Sequence, residues 1–505
     1  MAKRTMAEIL SEASAADGPS FVDDTQIAHS SVDPCGLRQT NFDLMNLVAD
    51  GLNNVARHVR PFSFVSWAWR RALRLAKAEG RPDTDATVLE DFVARCEVIF
   101  AWSVFISATQ TDLPGRQAMG QLLGAQKIDF YGATWKAFRE GRADSTSLSA
   151  AVNYGPGLKA LGWLARNDVN AKVLVPQTDA NAALDAFEAR IADRLSHPAF
   201  SSFGPVTVTR EEALAWAQAW MPDELTEQER RHAARTLTGD LATATRAEGI
   251  KLLLHAAARP ELASTGAVRS ALAGEDPSFE VPEGLKTAAA RWRRLQYRQL
   301  FRYSVESLLA WTLDRLAQAD GPLGTSALVS AFLAEAAIDG VGPASDWLDG
   351  TNPATPPSSA TMAIADALRS QSRQGLATAI AQALALCIAH TPEDPETFDR
   401  EDRLPLRRAG REANARRQGE ARELIRHAIE TWAIAQHVYW AVGRGLQDAR
   451  GGGKTILRLK LVMEEGGWTA LPGRSRLSPS PTPDRIETAI SLATECGLLP
   501  EGAAA

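Results

Sequence analysis

The chain has 505 residues, too many for one hydrophobic core to keep growing, and its 45% apolar and 23% charged residues are the balance of a folded globular protein, which excludes disordered and fibrous classes. A formal net charge of -6 over this length excludes a global electrostatic pull on nucleic acid or anionic lipid and leaves only local patches. Four cysteines, Cys35, Cys96, Cys387 and Cys496, form no CxxC pair, which argues against a zinc ribbon or a disulfide framework and for a reducing, cytoplasmic location.

Residues 1–34 read as an N-terminal arm: polar, small and aperiodic, with no apolar core of the kind a signal peptide needs. An aromatic-rich helical domain is expected over 35–175. Asn41 suits a cap, Pro61 suits the first turn of a helix running through FSFVSWAWRRALRLAKA, and Thr84, Asp85 or Thr87 suits the start of the next. Its apolar run Val98 to Ala108 is about half the roughly 20 residues needed to span a bilayer, so a buried helix is expected there and no membrane. Recurrent glycines between Thr111 and Val175 predict short helices joined by turns.

Helical domains are expected over 176–280 and 281–395, the latter with a basic helix. Apolar spacing is clearest at Asn181 to Ser196, Arg210 to Trp220, Lys286 to Leu316 and Glu420 to Val442. Breaks such as SHPAFSSFGPVTVT, LAGEDPSFEVPEG, VGPASDWLDGTNPATPPSSA and HTPEDPETFDREDRLP are the candidate linkers. In 396–505, a helix is followed by the alternating segment Ile456 to Met463, which EEGG can turn into WTAL, and then by helical spacing after Pro483. The fold class is therefore mainly α, a multi-domain helical protein with a small C-terminal β-hairpin, loosely like a winged helix.

Catalytic motifs are sparse. ARGGGKT (Ala449 to Thr455) could cradle a phosphate, but Asp448 stands where a Walker A loop has its first glycine, and the order expected here, helix before and strand after, is the reverse of the strand-loop-helix that such a loop needs. Eight histidines give no HxH, HExxH or HxK pattern, and no GxSxG elbow occurs. Cys35 in DPCGLR sits in a turn-like setting where a thiol could be exposed, without a recognisable base. Acidic ligands of a metal-dependent nuclease could come from distant positions, yet Arg458 and Lys460 on the C-terminal strand lack the acidic pattern of restriction-type sites. No cofactor is called for.

Basic patches are the better lead. In RWRRLQYRQLFRY, Arg291, Arg294, Arg298 and Arg302 share one helical stripe with Trp292, Tyr297, Phe301 and Tyr303 interleaved, a pattern that could grip phosphates. The competing reading is a solvated arginine face over an aromatic core. A second cluster carries Arg407, Arg408, Arg411, Arg416, Arg417, Arg422 and Arg426, and a third places Arg57, Arg60, Arg70, Arg71 and Arg74 around Phe62, Phe64, Trp67 and Trp69, where aromatics at that density suit a core or interface.

The stretch GLRQTNFDLMNLVADGLNNVARHVRPFSFVSWAWRR (Gly36 to Arg71) resembles the opening of uncharacterised helical proteins encoded in bacterial anti-phage defence islands. The likeness rests on the Gly-Leu-Arg start, the Asn-Asn-Val-Ala-Arg turn and the Phe-rich segment before Trp-Ala-Trp, and carries no functional residue across. It implies a subunit of a multi-protein antiviral system working beside a helicase or nuclease. Three expectations stand: a noncatalytic DNA- or RNA-binding or scaffold subunit, a pure protein–protein adaptor, or an enzyme, nuclease-like or nucleotide-using, whose site is dispersed through the fold.

Overall fold

Because apolar residues recur at helical spacing over most of the chain, the protein is mainly helical, with only short strands. The computed structural model describes residues 26–27, 33–108, 112–117, 119–142, 147–150, 153–222, 224–392, 400–450, 456–473, 476–500 and 502. These fall into two interleaved units, one of residues 1–40, 300–355 and 359–481, the other of 41–299, 356–358 and 482–505. One boundary of this division lies inside the unbroken Lys286–Ala317 helix. Among the Pro-containing breaks, VGPASDWLDGTNPATPPSSA holds two of the boundaries between the units, whereas SHPAFSSFGPVTVT supplies core. Phe200 and Val208 of SHPAFSSFGPVTVT are buried, and Val208 belongs to a strand paired with Ile128.

The 41–299 unit is built on the Arg60–Ala78 helix packed on Ala86–Ser107, with Asn181–Arg190 and Arg210–Trp220 closing over them. Pro61 lies in the first turn as expected, and Asp85 caps Ala86–Ser107 by accepting from the Val88 amide. Phe64 stacks on Phe100 at 4.5 Å and meets Phe187 and Trp220 at 6.0 and 5.6 Å, so the aromatic cluster is core. The apolar run Val98 to Phe105 is buried in it, and no helix is long and apolar enough to cross a membrane among the described residues. Arg60 is core too: sealed from solvent, it pairs with the equally buried Glu229 at 2.7 Å.

His58 stands between two carboxylates in the same unit. Its Nδ1 meets Glu495 and its Nε2 meets Asp112, while Glu495 also accepts from the Val59 amide at 2.7 Å. Burial alone would depress its pKa, but the two carboxylates outweigh it and hold the ring protonated, with a pKa raised to about 9.

The 300–355 and 359–481 unit packs Thr325–Ala336 on Arg373–Ala389 and on Ala421–His427. The expected helix from Glu420 to Val442 is interrupted by a π-helical stretch, Ala428–Ala435. Beyond it Gln436 and His437 face the start of the described chain: Gln436 Nε2 donates to the Cys35 carbonyl at 2.9 Å, and His437 Nδ1 contacts the Pro34 carbonyl at 2.8 Å. His437 Nε2 accepts from the Lys460 amide at 3.0 Å, which fixes the proton on Nδ1; burial, the largest cause, lowers the pKa to about 4.

This knot overturns three expectations. Asp33 and Pro34, the last two residues of the expected arm, are buried, and Cys35 is a sealed thiol whose pKa burial pushes up, not an exposed nucleophile. Asp33, not Asn41, caps the following Arg38–Ala49 helix, accepting from the amides of Leu37 and Arg38. Gly36 is required there: its φ is +70°, and a Cβ would run into the Trp440 ring.

The expected hairpin is present, Leu461–Glu464 against Gly467–Ala470 with Glu465 and Gly466 at the turn. The alternating segment is split, since Ile456–Leu457 pairs instead with Gln26–Ile27. The hairpin belongs to one unit and the Ile486–Glu495 helix after it to the other, so the two do not form one wing-and-helix module.

Replacing Arg302, fully buried and paired with buried Glu306 at 2.6 Å, by Met leaves an uncompensated carboxylate. We expect a loss of about 3–5 kcal/mol in urea unfolding, with most of it restored in the Arg302→Met/Glu306→Leu double variant. A loss under about 1 kcal/mol for the single variant would contradict the burial of this pair.

His58 binds its proton more tightly folded than unfolded, so its stabilisation is complete below its unfolded pKa of about 6.5 and is lost as pH rises through 9. Unfolding free energy should fall by up to about 3 kcal/mol between pH 6.5 and 9.5, and His58→Gln should flatten that limb.

Candidate nucleic-acid interface

The stripe Arg291, Arg294, Arg298 and Arg302 does lie along one helix, Lys286–Ala317, but it dives from surface to core. Arg291 is partly exposed with Glu248 at 3.8 Å, Arg294 is half-buried, and Arg298 and Arg302 are buried. Arg302 spends its guanidinium on Glu306 and on the Ser480 carbonyl at 2.5 Å. Trp292, Tyr297, Phe301 and Tyr303 are all buried. Period alone places residues on one face; it does not say whether that face meets water. Of the four arginines only Arg291 and Arg294 reach solvent, so a solvated arginine face does not describe the C-terminal half of the stripe, where Arg298 and Arg302 are buried.

Cations do converge elsewhere, in the 41–299 unit. The last turns of Arg60–Ala78 present Arg70, Arg74 and Lys77 at i, i+4 and i+7, and the turn after it adds Arg81. Together they line a cavity of about 650 Å³. Glu188 takes up Arg70 and Arg74 at 3.0 Å each, and Glu79 takes Arg81 at 2.7 Å. Exposed Lys77 has no ion-pair partner among the described residues. The exposed pairs Arg74–Glu188 and Arg81–Glu79 contribute little to stability, so their cations exchange readily onto a phosphate, whereas buried Arg70 is held by both Asp185 and Glu188.

Arg81 also lines a second cavity, of about 520 Å³, between Ala86–Ser107, the Gly132–Arg142 helix and the turn at 203–205. Five aromatic side chains wall it: Phe92, Phe130, Tyr131, Trp135 and Phe203. Asp91 organises one side, accepting from Trp135 Nε1 at 2.9 Å and from Arg139 Nη1 at 2.8 Å. Arg95 holds the other, lying 4.9 Å from the Phe92 ring centroid and donating to the carbonyls of Ser202 and Gly204. Burial makes Arg95 a brace rather than a ligand. Phe130 and Trp135 meet edge to face at 5.0 Å, and half-buried Phe203 packs on Phe92 at 5.6 Å with the Arg81 guanidinium 5.5 Å over its ring, which leaves Tyr131, 47% exposed, to face solvent.

Taken together, the two cavities are lined by seven cationic side chains and two carboxylates, Asp83 and Asp91, and share Arg81, while Glu79, Asp185 and Glu188 balance part of that charge from outside the lining. That arrangement suits a polyanion with flat apolar rings: phosphates on the helix-end cations, a ring on Tyr131. Of the residues that matter here, only Arg70 and Arg74 stood in a sequence cluster. The others were missed because Lys77, Arg81, Tyr131, Lys136 and Phe203 come from three separate segments, and only Lys77 shares a helical period with Arg70 and Arg74.

The glycine-rich loop lies outside the described residues from Gly451 to Thr455. Among the described residues, no group of three or more His, Cys, Asp or Glu side chains could hold a metal ion. Comparison with protein-family models, with curated proteins and with solved structures finds no match for this chain.

Proposed function

We propose that the chain is a noncatalytic nucleic-acid-binding subunit that holds single-stranded DNA or RNA in the groove joined by Arg81. The observation that carries this reading is the sharing of Arg81 between a cation-lined cavity and an aromatic one. A single strand offers phosphates and unstacked bases at once, whereas a duplex keeps its bases out of reach of Tyr131. The net charge of -6 fits a local grip rather than a global one. The resemblance of Gly36 to Arg71 to defence-island proteins supports a place in an antiviral multi-protein system, with a helicase or nuclease as partner and the cytoplasm as compartment.

The test is fluorescence anisotropy of a labelled 20-nucleotide strand and its duplex across a salt series. The single strand should bind more tightly, with affinity falling linearly in log salt. Arg74→Gln and Lys77→Gln should each weaken binding and reduce the salt slope by about 0.7. Tyr131→Ala should cost about 1–3 kcal/mol with the slope unchanged. Absence of binding at low salt, or variants that bind as the parent does, would overturn the reading in favour of a protein–protein adaptor.

A further inference from the structure

The 300–481 unit carries a separate cavity of about 700 Å³, in the size range of small-molecule sites. One wall is the Leu406–Ala415 helix, from which Arg407, Arg411 and Asn414 project at i, i+4 and i+7, with Arg417 just beyond its end. The opposite wall is apolar, formed by Leu348, Ala385, Ile388 and Ala389.

The two faces of this helix divide their arginines. Arg408 looks away from the cavity toward Glu412 at 2.8 Å; although burial raises that carboxyl's pKa, donors from Arg408, His427 and Trp432 outweigh it and bring it down to about 2. On the cavity face, Arg417 is held by Asp349 and Arg411 by Glu401 at 2.9 Å, both pairs partly exposed. Half-buried Arg407 has no ion-pair partner among the described residues. A guanidinium facing a cavity without a carboxylate is matched to an incoming anion.

The wall is also built for position. Gly410 is buried against Thr391, where a Cβ would run into the Thr391 side chain, so the helix approaches the 391–392 segment as closely as backbone allows. Thr391 Oγ1 donates to the Ile388 carbonyl at 2.8 Å and lies against Gly410, which leaves the Asp349 carboxylate and the Asn414 amide to meet hydroxyl groups.

We propose that this cavity binds a small organic phosphate, its phosphoryl group on Arg407 and Arg411 and its hydroxyl-bearing body between Asn414, Asp349 and the apolar wall. Nucleoside and sugar phosphates share that chemistry. Isothermal titration of the full chain with AMP, ribose 5-phosphate and inorganic phosphate separates them. AMP should bind measurably tighter than inorganic phosphate. If ribose 5-phosphate equals AMP, the site takes sugar phosphates and the apolar wall is not a base platform.

Arg407→Gln and Arg411→Gln should each weaken the best ligand at least tenfold while leaving the thermal midpoint and single-strand binding unchanged, and Arg407→Lys should recover part of the affinity. No heat with any of the three at millimolar concentration, or unchanged binding in both Gln variants, would overturn the proposal. So would a loss of single-strand affinity in those variants, which would assign the cavity to the nucleic-acid surface instead.

Discussion

Burying a guanidinium costs several kcal/mol unless a carboxylate and carbonyl oxygens take up its donors, and both units meet that cost in the same way. Arg60 is sealed against Glu229, which also accepts from Ser63 at 2.5 Å, and Arg302 is sealed against Glu306 one helical turn on. These pairs fix helix faces inward. They decide which of the many arginines are spent on the fold and which are left to meet a ligand, because a donor committed to a buried carboxylate has nothing to offer a phosphate.

The cations left over are those at helix ends and in turns, where core packing ceases. Arg74, Lys77 and Arg81 lie around and beyond Ala76, the last buried residue of the Arg60–Ala78 helix, and Arg407 and Arg411 sit on a helix whose other face carries Glu412, tied to His427 and Trp432. Aromatic side chains divide along the same line. Phe64, Trp67 and Trp220 fill the core, while Tyr131 remains at the surface because the braces around it, Asp91 and Arg95, occupy the polar edges of its pocket. The groove is a by-product of where the core ends, held in shape by two charged side chains.

The histidines show how the same residue type serves opposite protonation states. His58 has carboxylates at both ring nitrogens and stays charged; His437 has a carbonyl on one side and an amide on the other, and stays neutral. Each ring ties a segment near residue 35 or 58 to residues more than 50 positions away, so both act as long-range staples.

The sequence by itself determined the fold class and much of the local structure: helix periods, Pro61 at a helix start, Asp85 as a cap, and the turn at EEGG, all set by interactions within a few residues. It also placed Arg291 to Arg302 on one stripe and flagged the Arg407 to Arg417 cluster. Only the tertiary structure decided which of these arginines face water, that Cys35 is sealed, that the units interleave within the Lys286–Ala317 helix, and that Arg81 joins an aromatic pocket to a basic one. The physical reason is that periodicity reports direction around a helix axis, whereas burial depends on what packs there, and those neighbours come from segments tens to hundreds of residues away.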